Sequence, residues 1–269
     1  MTKILFIMFQ GSRTNQKYWN EYTKSKFLDR LKELGTVYTY QDKTYNIWRY
    51  DKSNPRYKDF DSDININLSY VRVNTHIKMV YDDIQSKYKN ISEYKFIPIG
   101  WSAGCYLALY FAQVYSSKCI RVVLLDPALW TPNNIKIRLK LCDDGIYPIT
   151  NLKYKKMLQD WKTNQKDVED AYKINNLTNY IRCLFISKNL QLELPVPTLA
   201  FVNIQKSEEN EHAKYYNNNR KMTEIKILKK YNPENYNAII FTNKTHYIFD
   251  KIQPVKEIIK QIKSILLSI

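Results

Sequence analysis

Gly100-Trp101-Ser102-Ala103-Gly104 is the stretch of this 269-residue chain whose residue types and spacing could do chemistry. It is a G-x-S-x-G set between an apolar β-rich run, 94–99, and an apolar, alanine-containing stretch, 106–115. A serine on a tight strand-to-helix turn is held in a strained backbone conformation, with its hydroxyl projecting from the end of a sheet. The residues two before and two after it pass close together, so only small ones fit. The following helix offers its N-terminal dipole and N–H groups to developing negative charge. With 5 glycines in the chain, chance yields this pattern about 0.005 times. A nucleophilic serine also needs a base, and the chain has 3 histidines. His76 falls in a helical pattern and reads as an exposed helix residue. His212 sits in a charged segment, 207–214, and reads as solvated. His246 follows the apolar run 238–242 in a loop. That places it at the same edge of a parallel sheet as Ser102, where sites in such sheets form.

Short apolar runs alternate with longer amphipathic stretches along the chain. Strands are expected over 4–9, 36–40, 94–99, 121–125, 198–204 and 238–242. Helical spacing of apolar residues marks 16–34, closed by Gly35 as a C-cap, and then 71–88, 106–115 and 254–267. Residues 41–68 are polar and irregular, and read as a loop. Pro98 is awkward inside a strand that should be central, because it has no N–H for the ladder. This alternation argues for an α/β fold with a mainly parallel sheet and helices on both faces. Residues 128–195 carry helical patterns (135–141, 152–161, 168–172, 180–186) without a strand run, and read as an insertion within one domain spanning 1–269.

Ser102 in its glycine frame, with His246 late in the chain before a closing helix, resembles the α/β-hydrolase superfamily. The stretch from His246 to Pro254 resembles the family's segment around the catalytic histidine, and the resemblance covers nearly the whole chain. It implies an α/β-hydrolase fold, a mainly parallel central sheet flanked by helices, with a helical lid over 128–195. It also implies a triad in chain order serine, acid, histidine. The acid usually follows the strand after the lid, where this chain offers Glu208, with Glu209 or Glu211 as substitutes. Some members place it after the preceding strand, which here is Asp126. The oxyanion hole would come from the N–H of Ala103 and, by position, the N–H of Ser12 in the loop after the first strand. That loop has Gln10-Gly11 where the family often has His-Gly. Gly11, Gly100 and Gly104 all fall on this site backbone. Trp101, beside the nucleophile, is expected to wall the substrate pocket.

The activity implied is two-step acyl transfer on a small-molecule ester, thioester or related substrate. The alternative is an α/β-hydrolase-fold protein that binds without catalysis. No P-loop, G-x-G-x-x-G or metal-ligand cluster occurs, so no metal or cofactor is expected. The formal net charge is +16, but lysines are spread along the chain rather than gathered in a phosphate-tracking stripe. The abundance of Lys, Asn, Ile and the 23 Tyr is the bias of an AT-rich genome, and no nucleic-acid partner is expected. The four cysteines, Cys105, Cys119, Cys142 and Cys183, contain no C-x-x-C pair and read as free thiols. No run reaches the length of a membrane span or of a signal-peptide core, so a cytoplasmic location is expected.

Overall fold

The structure is a computed structural model, and it describes residues 3–11, 19, 26–40, 73–102, 104–127, 193–205, 211–243, 248 and 252–268. In chain order these form β1 (Lys3–Phe9), α1 (Phe27–Lys32), β2 (Thr36–Thr39), α2 (Val73–Lys87), β3 (Tyr94–Trp101), α3 (Gly104–Val114), β4 (Val122–Leu125), β5 (Thr198–Gln205), α4 (Glu211–Tyr231), β6 (Tyr236–Asn243) and α5 (Ile252–Leu267). The six strands lie in one sheet in the order β2-β1-β3-β4-β5-β6. Every neighbouring pair is parallel.

Strands buried on both faces must be apolar throughout, and β1 is: LFIMF is buried without interruption. Its alternate residues feed two cores. Leu5, Ile7 and Phe9 pack with α2, α3 and Leu228 of α4, while Phe6 and Met8 pack with Trp19, α1 and α5. Burying a leucine- or phenylalanine-sized side chain contributes about 1.5–3 kcal/mol relative to exposure. A sheet covered on both faces therefore supplies most of the driving force.

The chain leaves β1 toward β2 on one side and returns to β3 on the other. The strand order reverses between β1 and β3, and such a switch point opens a crevice at the C-terminal ends of the two strands. Phe9 is in register with Gly100, so the chain that follows each strand enters that crevice together.

The proline in the central strand has a simple resolution. Phe96 N–H donates to Lys118 O, so alternate N–H groups of β3, Pro98 included by parity, face the β4 side. Pro98 falls between the isolated bridge Phe96↔Cys119 and the continuous ladder that begins at Ile99↔Val123. The missing donor coincides with a gap in the pairing.

Several sequence expectations change. The helix expected over 16–34 is not continuous, because Lys26 takes φ 54° and ψ 40°, outside helical space, and α1 starts after it. Gly35 does not serve as a left-handed cap. A Cβ there would lie 2.9 Å from the Ile4 carbonyl, so its smallness admits β1. Helix α4 departs from expectation, since from sequence its first residues read as a solvated charged segment containing His212. The insertion expected over 128–195 lies outside the described residues apart from 193–195, and the loop 41–68 lies outside them entirely.

Cys105 and Cys119 form no disulfide, as the sequence suggests, and both are buried. Burial raises the Cys119 thiol pKa strongly, leaving little of the thiolate that alkylates. Iodoacetamide treatment of the native protein at pH 8, followed by peptide mass mapping, should leave both peptides unmodified until denaturant is added. Rapid native alkylation of either would contradict this packing.

Candidate active site

Ser102 closes β3 and precedes α3, and its φ of 52° is left-handed. A non-glycine residue there costs roughly 1–2 kcal/mol, so the turn must be held by its surroundings. Its N–H donates to Leu125 O of β4 at 3.0 Å, and its carbonyl accepts the Cys105 N–H at 3.2 Å to begin the helix. The Cys105 thiol donates to Gly100 O at 3.2 Å beneath the turn. Both motif glycines are required by contact. A Cβ on Gly100 would come within 2.6 Å of the Gly104 carbonyl, and one on Gly104 within 2.5 Å of the Gln10 carbonyl. Real Cβ atoms do not approach backbone so closely, so the G-x-S-x-G spacing is a packing requirement.

Gly11 arrives from β1 directly beside the serine. A Cβ on it would meet the Trp101 ring at 2.7 Å and Ser102 Cβ at 3.2 Å. The loop after the first strand and the serine turn are thus in contact, as an oxyanion arrangement needs. The donors themselves, on Ser12 and Ala103, lie outside the described residues. Gln10 is buried at the start of that loop. Trp101, expected as a pocket wall, is 2% exposed. It packs edge-on against Trp19 with ring centroids 6.3 Å apart, on the α1–α5 side of the sheet.

Asp126 follows β4, one strand over from Ser102, and is also left-handed at φ 44°. Its carboxylate is completely buried. Oδ1 accepts the Asn203 N–H at 2.9 Å and the Lys221 ammonium at 2.6 Å. Lys221, on α4, is itself only 4% exposed. Sequence reading missed this lysine. The available signal was the spacing Lys221, Glu224, Ile225, Leu228, which puts it on the inward face of a helix.

Glu208 and Glu209 lie outside the described residues, as does His246. Glu211 opens α4. The described strand that leads to His246, β6, runs parallel to β3 in the sheet, so its C-terminal end shares the Ser102 edge. A groove of about 460 Å³ lined by Glu193, Tyr231 and Asn235 opens at the opposite edge, where β5 and β6 begin, and is no pocket for Ser102. Among the described residues no group of His, Cys, Asp and Glu could hold a metal ion. No described helix is long and apolar enough to cross a membrane.

No family model matches this sequence, and no curated protein matches it in sequence. Solved structures do match in shape. A carboxylesterase structure from the thaumarchaeon Nitrososphaera gargenis is 10% identical, over 99% of this chain and 92% of that one, with a TM-score of 0.56. A thermostable carboxyl esterase from Bacillus coagulans is 13% identical, over 99% and 90%, with a TM-score of 0.55. A peroxisomal α/β-hydrolase from Saccharomyces cerevisiae is 13% identical, over 100% and 79%, with a TM-score of 0.52. With the parallel sheet, the switch point and the serine turn in place, the chain has the α/β-hydrolase fold.

Proposed function

We propose that this protein is a serine hydrolase that cleaves an ester, thioester or related acyl bond of a small molecule. One observation carries the reading: Ser102 is held left-handed at the switch-point edge, against Gly11 of the neighbouring loop. Strain of this kind persists only where the surroundings over-determine it, and it clusters at functional sites.

In the mechanism, His246 takes the Ser102 hydroxyl proton as Oγ attacks the substrate carbonyl. The tetrahedral oxyanion is met by the Ala103 and Ser12 N–H groups. The leaving group departs with the proton from His246, and water activated by the same imidazole releases the acyl group from Ser102. A triad acid must orient the imidazole and stabilise the imidazolium with negative charge. Asp126 is the second choice, because a buried ammonium 2.6 Å away offsets part of its charge. Glu208, in the segment after β5, is our first choice for the acid, with Glu209 or Glu211 able to replace it.

The test is fluorophosphonate labelling of wild type, Ser102→Ala and Glu208→Gln, with mass spectrometry of the labelled peptide. Label on Ser102 that disappears in Ser102→Ala is expected, with Glu208→Gln slowing it by about 10²-fold or more. Folded wild-type protein that takes no label overturns the reading and leaves a binding role without catalysis.

A further inference from the structure

We infer that Lys221 is a positioning residue for the nucleophile turn, acting through Asp126; the inference rests on the hydrolase reading above. The links are all in place. Lys221 Nζ donates to Asp126 Oδ1 at 2.6 Å and to the Asn203 carbonyl at 2.7 Å. Asn203 N–H donates to the same Oδ1 at 2.9 Å. The Asp126 N–H donates to Phe201 O at 2.7 Å. Side chain and backbone of Asp126 are thus both tied to β5 and, through the ammonium, to α4. The residue before it, Leu125, supplies the carbonyl that receives the Ser102 N–H.

Two of the left-handed residues, Ser102 and Asp126, stand at the ends of adjacent strands. Neither conformation is favoured locally, and the Ser102 N–H to Leu125 O bond ties the two turns together. Lys221 is the distant member, 95 residues from its partner in sequence, and it closes the frame from the helix side. A buried ion pair is a poor choice for stability alone, because apolar groups of the same volume are commonly as stable or better. Its gain here is geometric. The pair fixes where β4 ends, and β4 fixes the serine turn. Nucleophile placement is sensitive at this scale: an error of about 1 Å costs on the order of 10²-fold in rate.

The experiment measures kinact and KI for a fluorophosphonate on the full chain, with the melting temperature of each variant. The main variant is Asp126→Asn/Lys221→Met, which removes both charges and so strands neither. We expect it to fold, with kinact lower by about 10- to 100-fold and KI unchanged. Its kinact–pH profile should keep the wild-type acid limb. Asp126→Glu is the second variant. It retains both charges but lengthens the link by one methylene, and it too should lower kinact at constant KI. Wild-type kinact in either folded variant overturns the assignment. So does an acid limb displaced to lower pH in the neutral pair, which would mark Asp126 as the imidazole's own partner. Wild-type protein that takes no label at Ser102 is a different failure: it overturns the hydrolase reading, and this inference with it.

Discussion

Replacing Ser102 by glycine is expected to abolish acyl transfer while raising the melting temperature. The loss follows from removing the nucleophile and should be on the order of 10⁶-fold in kcat. The gain follows from φ 52°. A left-handed L-residue costs roughly 1–2 kcal/mol, and glycine returns roughly 0.5–1 kcal/mol of that through its greater freedom when unfolded. The net expectation is a gain of about 0.5–1 kcal/mol, or roughly 1–4 °C for a chain of this size. Ser102→Ala is the internal control, because alanine loses the hydroxyl but keeps the Cβ that makes the conformation costly. Parallel thermal melts of the three proteins check this. Glycine no more stable than alanine would mean that the turn stores no strain. The usual trade of stability against function would then have to lie elsewhere in the site.

Gly104→Ala carries the second large effect, and it runs in the other direction. The added methyl would lie 2.5 Å from the Gln10 carbonyl and closer still to that of Phe9. Both obstacles are backbone at the end of β1, inside the sheet, so neither can swing aside as a side chain would. Overpacking a rigid interior costs about 1–3 kcal/mol and occasionally more; backbone contact on two sides argues for about 3 kcal/mol, or roughly 6–12 °C. The damage is also specific. The relief available is for α3 to move away from the β1 loop, which separates Ser102 from Gly11. Labelling of the surviving folded fraction should therefore fall together with the melting temperature. A variant within about 1 kcal/mol of wild type and labelled at the wild-type rate would mean that this approach is not enforced.

The elements that built the sheet were legible because each depends on near neighbours. Ile4 to Phe9 is apolar because a central parallel strand is buried on both faces, and that shows without knowing its partners. The serine turn was legible for a similar reason. Its glycines are demanded by backbone contacts that the strand–turn–helix geometry creates wherever it occurs, and with so few glycines in the chain they stand out. Helix α4 was not legible, since Asn217, Asn218 and Asn219 are weak helix formers and polar residues outnumber apolar ones along it. Tertiary packing overrode that preference.

The packing partners of Asp126, Trp101 and Lys221 were decided only in three dimensions. Asp126 reads from the sequence as a candidate acid, and Trp101 as a pocket wall. The structure adds a buried lysine paired with the aspartate and Trp19 packed against the tryptophan. Charge compensation depends on which helix face meets which strand end, across 95 residues of chain, and no local pattern encodes that meeting. Backbone contact and burial of apolar runs are short-range constraints, so residue type records them. The partner of a buried charge is a long-range one, and only the folded chain determines it.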